Sequence, residues 1–97
     1  MKFLFIYHSG EVPAHESRQN IDQLWQWLDS LKNRGCLATT FMANGGSRAS
    51  RDSVDAYKGR VFGISIVEAE SKEAAFAFVR DWPELRYGGH IDILNEL

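Results

Sequence analysis

Two periodicities of apolar residues alternate along the chain, and together they predict four strands and two helices. Runs rich in β-branched and aromatic residues are typical of strands. Apolar residues at helical spacing, followed by Gly35 or Pro83, are typical of helices that end at those residues. The strands are predicted at 2–7, 36–42, 61–69 and 90–94, and the helices at 17–34 and 71–82.

The first predicted helix carries apolar residues at relative positions 0, 3, 4, 7 and 10. These residues are Ile21, Leu24, Trp25, Leu28 and Leu31. Side chains at this spacing share one helix face, so we expect them to face the core. Trp27 lies off this stripe, where it either flanks the core or faces a partner.

The predicted element order is β-α-β-β-α-β within a single domain, residues 1–97. Short, right-handed connections fold this order into an α+β, ferredoxin-like architecture with both helices on one face of an antiparallel sheet. With the strands numbered along the chain, the expected order in the sheet is 4-1-3-2. The other face has no helix to cover it, and a chain of this size has little stability to spare. We therefore expect a homodimer in which two sheets pack face to face.

Composition and charge exclude several classes of partner. Eleven Lys plus Arg against 13 Asp plus Glu give a net charge of -2, a poor balance for binding nucleic acid. The apolar run at 3–7 is too short for a membrane span or a signal segment, so no membrane partner is expected. The single Cys36 cannot form an internal disulfide and is typical of a reducing compartment. These features predict a cytoplasmic protein.

Candidate chemistry lies at one end of the predicted sheet, which we call the rim. Antiparallel pairing of the first and last strands places His8, which ends one, beside His90, which begins the other. Imidazole is suited to acid–base work near neutral pH, and a carboxylate such as Asp92 or Glu11 can orient it. The candidate catalytic residues are therefore His90, His8 and Asp92.

Loops bring further polar side chains to the same rim. Glu11 and His15 follow the first strand and Tyr87 precedes the last, so all three are predicted to bind a ligand. The three histidines and Glu11 have suitable donor atoms for zinc, but their spacing matches no metal motif. Solvated or hydrogen-bonded histidines are the more common interpretation. We predict neither a metal nor another cofactor.

The segment 43–60 is 18 residues long, longer than most loops without secondary structure. It carries four cations against two aspartates, a local charge of +2, and Gly45-Gly46 frees its backbone to turn. Such a segment can close as a lid over an anionic ligand, for which Arg48 and Arg51 are the candidate contacts. A solvated, mobile loop is the alternative interpretation.

The closing segment Arg86–Ile93 after Trp82-Pro83, and a strand that runs from Gly63 to Glu68-Ala69, resemble the YCII-related domain family, in particular its DGPF-type branch. The resemblance implies a dimeric α/β barrel. The chain departs from that branch at its signature, where it has Arg51-Asp52-Ser53-Val54. Family members carry a His and an Asp on the first helix and at its end. The corresponding positions here hold roughly Leu24 and Asn33, so the resemblance implies no such His–Asp pair in this chain.

Three classes of function remain open. The first is the binding of a small organic molecule, including an anion, in a cavity at the rim of a homodimer. The second is a small enzyme that uses histidine to transfer a proton on an organic acid or lactone. The third is a pure assembly module. His90, Asp92 and Ser65 are expected to share the helix-free sheet face, and this mixed polarity favours binding or catalysis over assembly alone.

Overall fold

A computed structural model describes all 97 residues, Met1–Leu97. The strands are β1 (Lys2–His8), β2 (Leu37–Met42), β3 (Ser47–Ala49), β4 (Val54–Ala56), β5 (Val61–Glu68) and β6 (His90–Asn95), and the helices are α1 (Ser17–Asn33) and α2 (Lys72–Val79). The four long strands form an antiparallel sheet in the order β2-β5-β1-β6. The mixed α+β class with two helices is confirmed, and the arrangement is consistent with a ferredoxin-like fold.

Alternation along β1 separates the two faces of the sheet. Phe3, Phe5 and Tyr7 are buried in the core with residues of both helices, whereas Leu4 and Ile6 point to the opposite face. We call that helix-free surface the open face. Register places apolar side chains of all four long strands on it: Leu4, Ile6, Phe41, Ile64, Ile66 and Leu94. Phe41 is 66% exposed and Leu94 is 50% exposed, so the open face is a broad apolar surface in the single chain.

Trp27 joins the two helices to the sheet. Its ring meets that of Tyr7 edge-on at 6.0 Å, and its indole nitrogen donates a hydrogen bond of 3.0 Å to the carbonyl of Phe78 at the end of α2. The buried side of α1 therefore centres on Trp27, Leu28 and Leu31. The prediction that Trp25 faces the core was wrong, since Trp25 is 49% exposed. The physical reason is that Trp27 gains a hydrogen-bond acceptor at the end of α2 and an aromatic contact with Tyr7 in the core.

The neighbouring residue Ile21, also predicted to face the core, is 49% exposed as well. Leu24 is only partly buried against the core cluster. The predicted apolar stripe is therefore correct for Leu24, Leu28 and Leu31 and wrong for Ile21 and Trp25. Because α1 contacts both the sheet and α2, its buried face differs from the face that apolar spacing alone predicts.

The segment 43–60 is not structureless. It contains the two-stranded antiparallel hairpin β3-β4, in which Ser47 pairs with Ala56 and Ala49 with Val54. All six strand residues of the hairpin are exposed. The hairpin adds two short strands to the predicted element order and extends from the same end of the sheet as the predicted rim, because β5 begins at Val61 beside His8.

The second helix is shorter than predicted. α2 ends at Val79, and a 3-10 turn over Pro83–Tyr87 follows it. Ser71 caps α2 by accepting a hydrogen bond of 3.1 Å from the backbone nitrogen of Ala74. Neither helix is long and apolar enough to cross a membrane.

Ser65 lies on the helix side of the sheet, so the expectation that it shares the open face with His90 and Asp92 was wrong. It is fully buried opposite Phe5, accepts a hydrogen bond of 2.6 Å from the Tyr7 hydroxyl and lies 2.8 Å from the Thr40 hydroxyl. Burial raises the pKa of the Tyr7 phenol to about 12, while the hydrogen bond with Ser65 opposes this shift. The Tyr7 and Ser65 hydroxyls satisfy each other inside the core and are not available to a ligand.

Candidate functional site at the ends of β1 and β6

Three titratable side chains converge where β1 ends and β6 begins. His8 lies directly opposite His90 in the antiparallel register, and Asp92 follows two residues later on the same face of β6. The two imidazole rings stack with centroids 4.2 Å apart and an interplanar angle of 13°. His8 Nε2 lies 2.8 Å from Asp92 Oδ2. We call His8, His90 and Asp92 the histidine cluster.

The histidine cluster stands at the edge of the open face. Leu4, Ile6 and His8 alternate with the buried residues of β1, so the imidazole of His8 continues the apolar row. The His8 side chain is 22% exposed and the Asp92 side chain 53% exposed. Five cavities of the chain, of about 250 to 520 Å³, have no member of the cluster in their lining. In a single chain, the cluster is an open surface rather than a pocket.

Backbone and side-chain contacts hold the end of β1 from both sides. Arg60 donates from Nε to the carbonyl of Ser9 and from Nη2 to the carbonyl of Gly10, both at 3.0 Å. On the other side, the backbone nitrogen of Gly10 donates a 3.1 Å hydrogen bond to Oε1 of the buried Glu84. We call Ser9, Gly10, Arg60 and Glu84 the brace. It fixes the backbone that follows His8.

The brace also fixes the start of β6. The Glu84 carbonyl accepts a 2.9 Å hydrogen bond from the backbone nitrogen of Gly89, immediately before His90. Gly88 has a φ of 84°, which turns the chain from the 3-10 segment into β6. Gly10 approaches this turn so closely that a Cβ there would lie 2.4 Å from the carbonyl oxygen of Tyr87. Both imidazoles are thus carried by backbone with little freedom to move.

The remaining rim candidates make other contacts. Tyr87 donates from its hydroxyl to Glu16 Oε1 at 3.1 Å, and His15 Nε2 lies 3.8 Å from Glu16 Oε2. Glu11 meets Tyr87 only through its backbone nitrogen, which donates to the Tyr87 carbonyl. Arg48 on β3 and Arg51 in the hairpin turn are exposed and make no polar contact with the histidine cluster.

Asp92 contacts a different histidine from the one that sequence spacing suggested. It was predicted to orient His90 on its own strand, but it bonds to His8 across the strand pair. Asp92 is the diagonal cross-strand neighbour of His8, a separation of about 7 to 8 Å between backbones that a side chain as long as histidine spans. Sequence reasoning also missed Glu84, because no spacing signal marks a carboxylate whose partner is a backbone nitrogen 74 residues away.

The fold and the site define a small α+β domain with a half-buried histidine, an exposed histidine and an exposed carboxylate at one sheet edge. The YCII-related domain matches residues 1–94, and the chain belongs to that family. No curated protein matches the sequence.

A solved structure shows the same fold. It is 5-chloro-2-hydroxyhydroquinone dehydrochlorinase (TftG) from Burkholderia phenoliruptrix AC1100, in complex with 2,5-dihydroxybenzoquinone. The two proteins are 21% identical with a TM-score of 0.65, and the match covers 100% of this chain and 94% of that one. At this level of identity the likeness supports the fold.

Proposed function

We propose that this protein binds a small organic molecule, including an organic anion, at the histidine cluster in a cleft formed by two copies of the chain. The observation that carries the proposal is the convergence of two stacked imidazoles and a carboxylate at one edge of an apolar surface. Imidazole N–H groups donate hydrogen bonds to carboxylate or phenolate oxygens, and the adjoining apolar side chains suit the carbon skeleton of such a ligand.

The second copy supplies the roof of the proposed cleft. The open face exposes Phe41 and Leu94 in a single chain, and burying this area against an identical surface is favourable by the hydrophobic effect. Two open faces packed together form the dimeric α/β barrel expected from the sequence. The histidine cluster, open in the single chain, then becomes a recess at the margin of the interface.

The hairpin supplies the positive charge for an anionic ligand. It joins β2 to β5 at the end of the sheet where the cluster lies, since Val61 pairs with His8. Arg48 and Arg51 are exposed on it and free to reach a ligand. This supports the proposal of a lid, with Glu11, His15 and Tyr87 as further contacts at its base. Within the family, the closing segment Arg86–Ile93 supports a place beside the DGPF-type branch.

Proton transfer on an organic acid or lactone is a second candidate function, favoured by the 2.8 Å contact between His8 and Asp92. A carboxylate on one imidazole nitrogen fixes the ring orientation and stabilises the imidazolium that forms when the other nitrogen accepts a proton. His8 is then the general base, Asp92 its orienting carboxylate and His90 a hydrogen-bond donor to the substrate. TftG, which shares the fold, is an enzyme that binds a quinone.

The test is a calorimetric and thermal-shift screen of organic acids, lactones and dihydroxybenzoquinones in buffer that contains a chelator. We expect a ligand whose affinity falls at least tenfold in His90→Ala, while Asp29→Asn, an exposed change on α1, leaves it unaltered. If every ligand found binds His90→Ala and Asp92→Asn as tightly as the wild type, the cluster is not the site. Exchange of a substrate proton for deuterium, lost in His8→Ala, distinguishes the enzyme from the binding protein.

A further inference from the structure

We propose that His8, His90 and Asp92 bind a divalent transition-metal ion of the zinc type at the edge of the open face. One ligand atom from each of these residues lies within 4.8 Å of the other two. The metal site rests on this geometry. The ion would bind an oxygen of the organic ligand in the cleft. This role of the ion rests on the function proposed above, whereas the metal site does not.

The donor set selects the class of metal. Two imidazole nitrogens with one carboxylate oxygen suit zinc and its first-row neighbours, whereas magnesium and calcium prefer sites built of oxygen alone. Ligand atoms sit about 2.0 to 2.2 Å from zinc in a tetrahedral site, so they lie roughly 3.3 to 3.5 Å from one another. The spacing in the cluster, up to 4.8 Å, exceeds this by about 1.3 to 1.5 Å, so the two stacked imidazole rings must rotate about their side-chain torsions to point their nitrogens at one ion.

The strands arrange the three donors in advance. His8 and His90 are direct cross-strand neighbours and Asp92 is the next residue of β6 on the same face, so three adjacent places of one sheet surface carry ligands. The brace holds the backbone at both strand ends through Arg60 and Glu84. The site thus needs no folding of a loop around the ion, and little conformational entropy is lost on binding.

The number of ligands indicates the role of the ion. Structural zinc sites are closed by four protein ligands, whereas sites that act on a ligand keep three and leave the fourth position open. The cluster has three, and its exposed side faces the proposed cleft. A carboxylate, phenolate or water oxygen is the chemical group that fills such a position.

Strand topology predicted His8 beside His90, but spacing gave no metal motif, because His8 and Asp92 are 84 residues apart and meet only through the pairing of the first and last strands. The prediction of no metal rested on that spacing. The fold supplies the proximity that a local motif would otherwise provide.

The test is titration of the tag-free, metal-depleted protein with Co²⁺, read by its visible absorption, followed by displacement with Zn²⁺ and calorimetry. We expect one ion per chain, displaced by Zn²⁺ and unaffected by excess Mg²⁺. His8→Ala and His90→Ala should each lower affinity by more than the roughly 10- to 100-fold typical of changes outside the ligand shell. Asp92→Asn should weaken binding at least tenfold, and the exposed Asp29→Asn should not change it. Circular dichroism verifies that each variant is folded.

Two results would overturn the proposal: no saturable binding of Co²⁺ or Zn²⁺ by the wild type, or binding that His90→Ala leaves unchanged. The screen in chelator separates this failure from that of the proposed function. An organic ligand that binds in chelator to a protein without affinity for Co²⁺ contradicts only the metal site. A protein that binds Co²⁺ at the cluster but no organic ligand, with or without the ion, contradicts only the proposed function.

Discussion

At the scale of single residues, Tyr7 and His8 show how one step along a strand separates the core from the candidate site. Tyr7 points to the helices and is buried between Trp27 and Trp82, with its hydroxyl bonded to Ser65. His8 points the other way, to His90 and Asp92. The alternation of β1 therefore places a structural hydroxyl and an imidazole of the candidate site next to each other in sequence but on opposite faces.

The raised pKa of Tyr7 predicts a loss of stability in alkaline solution. Burial raises this pKa from 10.0 to about 12, so the native state favours the neutral phenol while the unfolded chain ionises first. Stability from this group is complete below pH 10 and is lost as the pH rises towards 12, by about 2 to 3 kcal/mol. Urea unfolding at a series of pH values measures this loss. Tyr7→Phe should show a smaller decrease over the same range, and an equal decrease would contradict the assignment.

At the scale of elements, the candidate site depends on the contact between the loop that leaves β1 and the turn that enters β6. Gly10 and the 3-10 segment before β6 touch through backbone atoms, and Glu84 accepts from one strand end while its carbonyl accepts from the other. Antiparallel pairing brings the two histidines together, and this contact keeps them there. Hydrogen bonds and close packing stabilise this contact between the loop after β1 and the turn before β6.

Gly10→Ala tests this contact. A Cβ at residue 10 would lie 2.4 Å from the Tyr87 carbonyl oxygen and 2.7 Å from the Gly89 nitrogen, so the two segments must separate. We expect the free energy of unfolding to fall by about 1 to 3 kcal/mol, the usual cost of overpacking. Gly46→Ala is the matched control, since its Cβ would meet nothing nearer than 3.8 Å, and it should change stability by less than about 0.5 kcal/mol. Equal stability of the two variants would contradict the close packing of Gly10 against the turn before β6.

We expect the hairpin β3-β4 to be the most mobile element of the fold. Its two strands pair only with each other and all their side chains are exposed. We expect amide hydrogen exchange in residues 43–60 to be fast in the free protein and to slow when a ligand binds. Exchange in the free protein as slow as in β1 and β5 would contradict the proposed lid.

At the scale of the whole molecule, the helices cover one face of the sheet and the open face is left to solvent. A sheet protein of this size buries a smaller fraction of its surface than a larger domain, so the proposed second copy on the open face would add a substantial part of the stability. The histidine cluster lies at the edge of that surface, and the depth of the proposed cleft therefore depends on dimerisation.

Substitution on the open face should separate the dimer. Phe41→Asp places a charge on β2 at a residue that is 66% exposed in the single chain, and we expect the mass in light scattering to fall from twice 11.0 kDa to the mass of one chain. Phe76→Asp, on α2 and 52% exposed, is the matched control and should remain dimeric. A wild type that is a folded monomer at micromolar concentration would overturn the proposed dimer and with it the roof of the cleft.

The sequence by itself determined what depends on neighbouring residues. Apolar and polar patterning and turn residues located the four long strands and both helices, although α2 ends at Val79 and not at Pro83, because backbone periodicity and turn chemistry are local properties. The closing segment Arg86–Ile93 led to the YCII-related family. His8 and His90 were brought together by the same reasoning, since antiparallel pairing of the first and last strands follows from the order of elements.

Tertiary structure decided everything that depends on which surfaces meet. It buried Trp27 in place of Trp25 because α2 offered Trp27 a hydrogen-bond acceptor. It turned Ser65 into the core, since the face of a strand is set by register with its neighbours. It paired Asp92 with His8, 84 residues away. Sequence spacing carries no information about such contacts, because the energy of packing and pairing is shared among residues that meet only in the folded chain.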